Sequence, residues 1–306
     1  MRAVVIAEQG ASPALTELPM PEPDAGEVLV RVEASSLNGF DTAVAAGYLA
    51  AMMEHRYPVV LGKDFAGTVE AVGAGVTRFA AGDRVFGVVT KPFLGDGGFG
   101  EYVVVGDDLG TAAVPDGLDT ATAGVLGLAG AAAVDVLAAA APQAGEIVLV
   151  SGATGGVGAI AIQYVAAAGA RVIATARPGE EADLVRGLGA TDVVDHTGDL
   201  AAQVRTLAPA GVDVVLHLAG EGAALAGLLT EKGRLASTLG VGPDQHPAAT
   251  AIMATPAVAT LDRLAADAAA GRITVPVSRT YLLAEVPAAF GDFAGGTLGK
   301  LAVNLA

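Results

Sequence analysis

Apolar positions along the chain follow two different rhythms, and the change between them divides it. Over roughly the first third the apolar runs are short. Residues 3–7 form one, and in residues 27–34 Val28, Val30 and Val32 alternate with Leu29, Arg31 and Glu33. Further strands are predicted at 64–72, 84–89 and 100–105, parted by turn signals at Gly73-Ala-Gly75 and Ala81-Gly-Asp83. Pro19, Pro21, Pro23 and Asp24-Ala-Gly26 make an extended connector ending in a turn. Many short strands with glycine turns predict a small barrel-like β domain.

At Pro115-Asp-Gly-Leu-Asp119 the pattern changes. Asp119 or Thr120 reads as the cap of a helix that runs through an Ala/Gly stretch to Ala141. Strands at 147–151, 170–176, 192–195, 212–217 and 233–238 then alternate with helices at 159–168, 180–188, 200–208 and 221–229. Such alternation predicts an α/β fold, a doubly wound parallel sheet covered on both faces. A helix at 260–270 and a strand at 273–277 follow. The tail, 281–306, carries a helix at 285–293 and a strand at 300–304 and is expected to return to the first domain.

The middle of the chain holds the clearest chemistry. The uncharged strand 147–151 turns through Gly152-Ala153-Thr154-Gly155-Gly156-Val157-Gly158 into an apolar helix. A strand, a glycine turn and a helix N-terminus make an anion site, because free N–H groups and the helix dipole point outward. Small residues there let a dinucleotide pyrophosphate approach the backbone. The next strand, 170–176, completes the unit of about thirty residues that this fold requires. Residues Ala153 to Gly158 are therefore candidate cofactor contacts.

The residue after that second strand bears on which nucleotide binds. An acidic residue there suits the ribose 2′-hydroxyl of NAD, and a nearby Arg suits the 2′-phosphate of NADP. Here it is Arg177, with Thr175 two residues before it, while Glu180 and Glu181 come only on the next turn. NADP is favoured; the alternative for Arg177 is a solvated surface cation.

Composition narrows the partners. The 306 residues are 53% hydrophobic and carry 33 acidic against 17 basic side chains, a net charge of −16. That length fits two domains, and that charge argues against nucleic acid or an anionic membrane as partner. There is no cysteine, so disulfides and thiolate metal sites are excluded. The N-terminus is interrupted too early by Glu8 to be a signal peptide, and the low-charge run 120–134 is too short to span a bilayer. A soluble cytoplasmic protein is expected.

Several further segments together resemble the medium-chain dehydrogenase/reductase superfamily, in its zinc-free quinone oxidoreductase (zeta-crystallin-like) branch. They are Ala34-Ser-Ser-Leu-Asn-Gly-Phe-Asp41, Gly47-Tyr48, the run from Pro58 through Gly62-Lys-Asp64 to Gly73, Gly82-Asp-Arg-Val85, Gly98-Phe-Gly-Glu-Tyr-Val103, Leu128-Ala-Gly130, the glycine turn, and Gly299-Lys-Leu-Ala-Val303. The resemblance implies a discontinuous GroES-like catalytic domain (1–115 and 280–306), a Rossmann domain (116–279) and an NADPH cleft where they meet. It also implies a homodimer. Leu218, Ala219, Leu239 and Gly240 join the expected cofactor contacts. Zinc-dependent relatives place a Cys and a His–Glu pair in these motifs; here stand Asn38 or its neighbours and Lys63-Asp64, no replacement ligand set is visible, and no metal is expected.

The reaction implied is hydride transfer from NADPH to a quinone or an α,β-unsaturated carbonyl. Tyr48 is the candidate proton donor, with anchoring of a loop as its alternative. Asn38 is a candidate for the ribose or the substrate carbonyl, with capping of the following helix as its alternative; Asp41 reads as structural. Lys63 is a candidate positive charge for an oxyanion, with a lysine reaching solvent as its alternative. Two departures stand out: Ala131-Ala132-Ala133 where relatives often have a Thr, and Glu181 where some carry a phosphate-binding Lys. The competing readings are an enoyl-thioester reductase of a biosynthetic pathway and an NADPH-binding protein with little turnover.

Overall fold

The computed structural model describes residues 1–306. They divide into two compact units, residues 1–129 with 256–306, and residues 130–255. The divisions fall inside the helix Gly127–Ala140 and after Thr255, inward of the expected boundaries at 115/116 and 279/280. Packing accounts for the offset. Helix Thr120–Ala123 lies against strands Glu27–Leu37, Asp64–Val72 and Arg84–Val88, and helix Val258–Ala269 against Thr111–Ala113, so both helices belong with the first unit.

The first unit is built on one long strand, Glu27–Leu37. It pairs antiparallel with Asp64–Val72, with Tyr102–Gly106 along its first half, and with the terminal strand Lys300–Asn304 along its second. The tail thus returns to the first unit. Arg84–Val88, Thr111–Ala113 and Val277–Leu282 complete a seven-stranded sheet, and Ala14–Glu17, Arg2–Ile6 and Val59–Val60 form a smaller one. The alternating Val28, Val30 and Val32 enter one core with Phe65, Val85 and Val103. The strand expected at 273–277 begins instead at Val277; Pro276 has no N–H to give to a ladder. The helix expected to run unbroken to Ala141 is two helices, Thr120–Ala123 and Gly127–Ala140. Asp119 caps the first by accepting the Thr122 N–H at 2.8 Å. The break comes at Gly124, where a Cβ would lie 2.7 Å from that of Ala34.

The second unit is a six-stranded sheet with every neighbouring pair parallel. Its spatial order is Asp192–Val194, Arg171–Thr175, Ile147–Ser151, Val212–His217, Leu229–Ser237, Ala249–Ala251. Counted along the unit this is 3-2-1-4-5-6, the dinucleotide-binding order. Val148 to Val150, Val172 to Ala174 and Val214 to Leu216 are fully buried, as strands covered on both faces must be. The helix expected at 221–229 ends at Ala226, and the fifth strand starts early, at Leu229. A register shift explains this: Val212 pairs with Leu229 but Val214 with Arg234, so the intervening residues are absorbed in a bulge. No helix is long and apolar enough to cross a membrane.

Candidate functional site

In the second unit the sheet order reverses between Ile147–Ser151 and its two neighbours, and the glycine turn leaves the sheet at that point. Gly155 is the N-cap of helix Gly156–Ala167, in extended conformation and without a capping side chain. The first N–H groups of this helix are therefore not consumed by its own cap. Gly158 is required by close packing: a Cβ there would lie 2.4 Å from the Gly152 carbonyl oxygen and 2.7 Å from the Ala153 Cα.

Neighbouring strands hold the turn. The Ser151 hydroxyl donates to the Ala219 carbonyl, and the Leu218 N–H donates to the Ser151 carbonyl at 3.2 Å, which draws Leu218 and Ala219 against the turn. Leu239 is exposed, with its N–H on the Ser237 hydroxyl at 3.0 Å, and Gly240 follows it beyond the fifth strand. The sequence-derived contacts thus gather at the carboxyl ends of adjoining strands. Thr175 departs from expectation. It is 3% exposed, accepts the Gly152 N–H at 3.0 Å and donates to the Val150 carbonyl at 3.3 Å. The hydroxyl thus shapes the turn from beneath, a supporting role that the sequence expectation of a cofactor contact did not include. Ala153 is likewise fully buried.

Arg177 is not a free cation either. Its Nε donates to Glu181 at 2.6 Å, its backbone N–H to the other oxygen of the same carboxylate at 2.7 Å, and its Nη2 pairs there too. His196 approaches Glu181 from elsewhere, Nε2 to Oε2 3.8 Å. Burial works to raise the Glu181 pKa, but the bonds from Arg177 and the charges of Arg177 and His196 outweigh it and hold the carboxyl below its ordinary range.

The first unit carries a buried polar cluster around Asp64. This carboxylate accepts from the Ser36 hydroxyl, from Asn38 Nδ2 at 2.9 Å and from the Leu128 N–H at 2.7 Å, with the Lys300 ammonium at 3.4 Å. Lys300 also donates to Asn38 Oδ1. Asn38 is therefore turned inward, and the cap of helix Gly39–Ala45 is closed by Asp41, which accepts the Asn38 N–H at 2.8 Å. Lys63 is neither solvent-reaching nor free: its ammonium donates to the Val89 carbonyl and lies 5.0 Å from the centre of the Phe40 ring. Burial lowers its pKa, against the pull of Asp41 and Asp64. These side chains do not fit a zinc ion. Asp64 is committed to four donors, an ammonium is no ligand, and no group of three or more His, Cys, Asp or Glu is gathered anywhere. Tyr48 stands apart, 78% exposed, in the turn after helix Gly39–Ala45.

Burial pushes the Asp41 carboxyl up to about 7, with Asp64 adding to the push and the Asn38 N–H, Lys300 and Lys63 opposing it. The folded pKa lies above the unfolded one, so as pH rises from about 4 to about 7 the unfolded chain sheds a proton that the folded chain keeps. Stability from this group is greatest at low pH and falls through that window. Asp41→Asn cannot ionise. Its thermal unfolding profile is expected to be flatter from pH 4 to 8, with a gain over the parent at pH 8 on the order of 1–2 kcal/mol. An equal shift at pH 4 and pH 8 would contradict this.

The sequence reading passed over Lys300, Ser36 and the central role of Asp64. A signal existed: a lysine heading the apolar run Leu301-Ala-Val303 of strand Lys300–Asn304 needs a partner when it is buried. His217, by contrast, is a satisfied strand-end histidine, bonded to the Ser237 hydroxyl at 2.9 Å and the Gly220 carbonyl at 3.1 Å.

Comparisons with known proteins agree with this architecture. Residues 24–116 match the family described as alcohol dehydrogenase GroES-like domain, and residues 156–259 the family described as zinc-binding dehydrogenase. A quinone oxidoreductase of Sus scrofa is 34% identical over 206 residues, covering 66% of this chain and 60% of that protein. A mycocerosic acid synthase-like polyketide synthase of Mycobacterium tuberculosis is 40% identical over 209 residues, covering 67% of this chain and 10% of that protein. Among solved structures, a mycobacterial protein complexed with NADPH superposes with a TM-score of 0.87 at 30% identity, covering 100% of both chains. The aligned region spans about 60% of the length of the curated quinone oxidoreductases matched. With its Rossmann-type parallel sheet and its GroES-like unit, the chain belongs to the medium-chain dehydrogenase/reductase superfamily, in the quinone oxidoreductase branch.

Proposed function

We propose that this protein is a reductase that uses NADPH to deliver hydride to a quinone or to an alkene conjugated with a carbonyl. The observation that carries the reading is the turn from Gly152 to Gly158. It leaves the sheet where the strand order reverses, its helix has no capping side chain, and its last glycine has no room for a methyl. The quinone oxidoreductase relative and the NADPH complex of the mycobacterial structure support it. In this reading the two ends of the chain form the catalytic part and the middle the nucleotide part, with a homodimer as the assembly.

A bound reduced nicotinamide supplies the hydride. The backbone of Gly155 to Gly158 would hold the pyrophosphate, with Leu218 and Ala219 walling the turn. With an enone as substrate, hydride addition at the β-carbon would leave an enolate, and the Tyr48 phenol would give its proton to the α-carbon. Water returns that proton, since the phenol is exposed. Asn38, through the Asp64 cluster, and Lys63, through the Val89 carbonyl, are held as fixed polar groups and transfer no proton.

A second reading, reduction of an enoyl thioester, is favoured by the polyketide synthase match. The test is titration of the purified protein with NADPH and NADH, followed by a panel of quinones, enals, enones and one enoyl thioester. NADPH oxidation by a quinone or enone is expected. Tyr48→Phe is expected to slow enone reduction about a hundredfold, the usual worth of a positioned acid. Quinone reduction should suffer less, because oxygen is protonated by water. Turnover of the thioester alone would favour the second reading, and tight binding without oxidation a binding protein. No affinity for either nucleotide would overturn the proposal.

A further inference from the structure

Resting on that reading of the coenzyme, we propose that Glu181 is a built-in competitor for the 2′-phosphate, an internal anion that occupies Arg177 and sets how strongly the protein discriminates NADPH from NADH. The Glu181 carboxylate takes the Nε, the Nη2 and the backbone N–H of Arg177, the set of donors that an incoming phosphate at the end of the second strand would use. It is also the sheltered member of the pair: its side chain is 12% exposed against 58% for Arg177, so the guanidinium is the member that solvent or a ligand reaches. The other charged groups facing the pair do not restore a positive field. Asp195 acts on Arg177 as a further anion, and the ring of His196 lies 3.8 Å from the Glu181 carboxylate.

A dianionic 2′-phosphate that reaches this strand end must displace Glu181 from Arg177, or bind beside a pair whose charges cancel. Either way the gain over a free 2′-hydroxyl is small. The parent protein therefore discriminates weakly, and Glu181, not only Arg177, determines coenzyme preference.

The test is calorimetric titration of the full-length protein with two probes, 2′,5′-ADP and 5′-ADP. The parent is expected to bind them within about threefold of each other. Glu181→Gln keeps an acceptor for the Arg177 N–H but removes the charge. It is expected to tighten 2′,5′-ADP about tenfold, the effect of one unit charge a few ångströms from a dianion in high dielectric, with 5′-ADP bound as before. Adding Arg177→Ala to Glu181→Gln should erase the gain. A parent that already prefers 2′,5′-ADP by more than about thirtyfold overturns the proposal, as does a Glu181→Gln protein with unchanged or weaker 2′,5′-ADP binding. The underlying coenzyme reading fails differently: neither probe binds any variant, or Arg177→Ala alters 2′,5′-ADP binding in neither background.

Discussion

Replacing Gly158 with valine is expected to abolish saturable binding of NADPH and NADH together. The added Cβ would sit 2.4 Å from the Gly152 carbonyl oxygen, 2.7 Å from the Ala153 Cα and 2.8 Å from the Ala153 carbonyl oxygen. All three are backbone atoms of the turn itself, so no side chain can swing aside to make room. The helix must withdraw from the strand end, and the N–H groups at its start move with it. Isothermal titration against each nucleotide reads the loss, and circular dichroism with thermal unfolding confirms that the sheet remains. Gly155→Ala supplies the contrast. A Cβ there meets only the Gly152 carbonyl oxygen, at 3.6 Å, an ordinary contact, and its backbone is extended with φ of −76°. The folded protein tolerates this methyl, so any affinity lost at position 155 reports a ligand approaching the turn. Unchanged binding in Gly158→Val would remove the turn from the coenzyme site.

Asp64→Ala is expected to cost about 3–5 kcal/mol of stability, the usual cost of leaving one partner of a buried ion pair uncompensated. The carboxylate is fully buried and satisfies the Ser36 hydroxyl, the Asn38 amide, the Leu128 N–H and the Lys300 ammonium. Removing it strands three hydrogen-bond donors and an ammonium that is itself 4% exposed. Urea unfolding of the full chain, followed by a probe in the first unit, measures the change. Lys300→Met in the Asp64→Ala background is expected to recover part of the loss, since an apolar side chain of similar length needs no partner in that site. A loss below about 1 kcal/mol would show that Asp64 is not the keystone of the cluster. The two predictions separate the units: the first changes binding through the turn, the second changes stability through the opposite part of the chain.

Much of this protein was legible as a string of residues, for a local reason. The strand 147–151, the glycine turn and the helix after it lie within about thirty residues, so hydrophobic period and turn chemistry alone define the nucleotide unit. The parallel sheet was legible too, because strands covered on both faces read as continuous apolar runs, as Val148 to Val150 and Val214 to Leu216 do. Short edge strands such as Ala14–Glu17 and Ala249–Ala251 were not, being too brief to show a period.

What only the tertiary structure decided is which polar groups meet. Asp64 and Lys300 lie 236 residues apart in the chain, and no periodicity couples them. They pair because the terminal strand returns to lie against Glu27–Leu37, which carries Ser36 and leads into Asn38. Thr175 and Arg177 were placed correctly at the strand end, yet their roles depend on partners across space. The Thr175 hydroxyl is drawn under the Gly152 N–H, and the Arg177 charge is cancelled by Glu181 across a turn. A sequence specifies elements through short-range pattern; it specifies the state of a charge only through the neighbours that folding brings within a few ångströms.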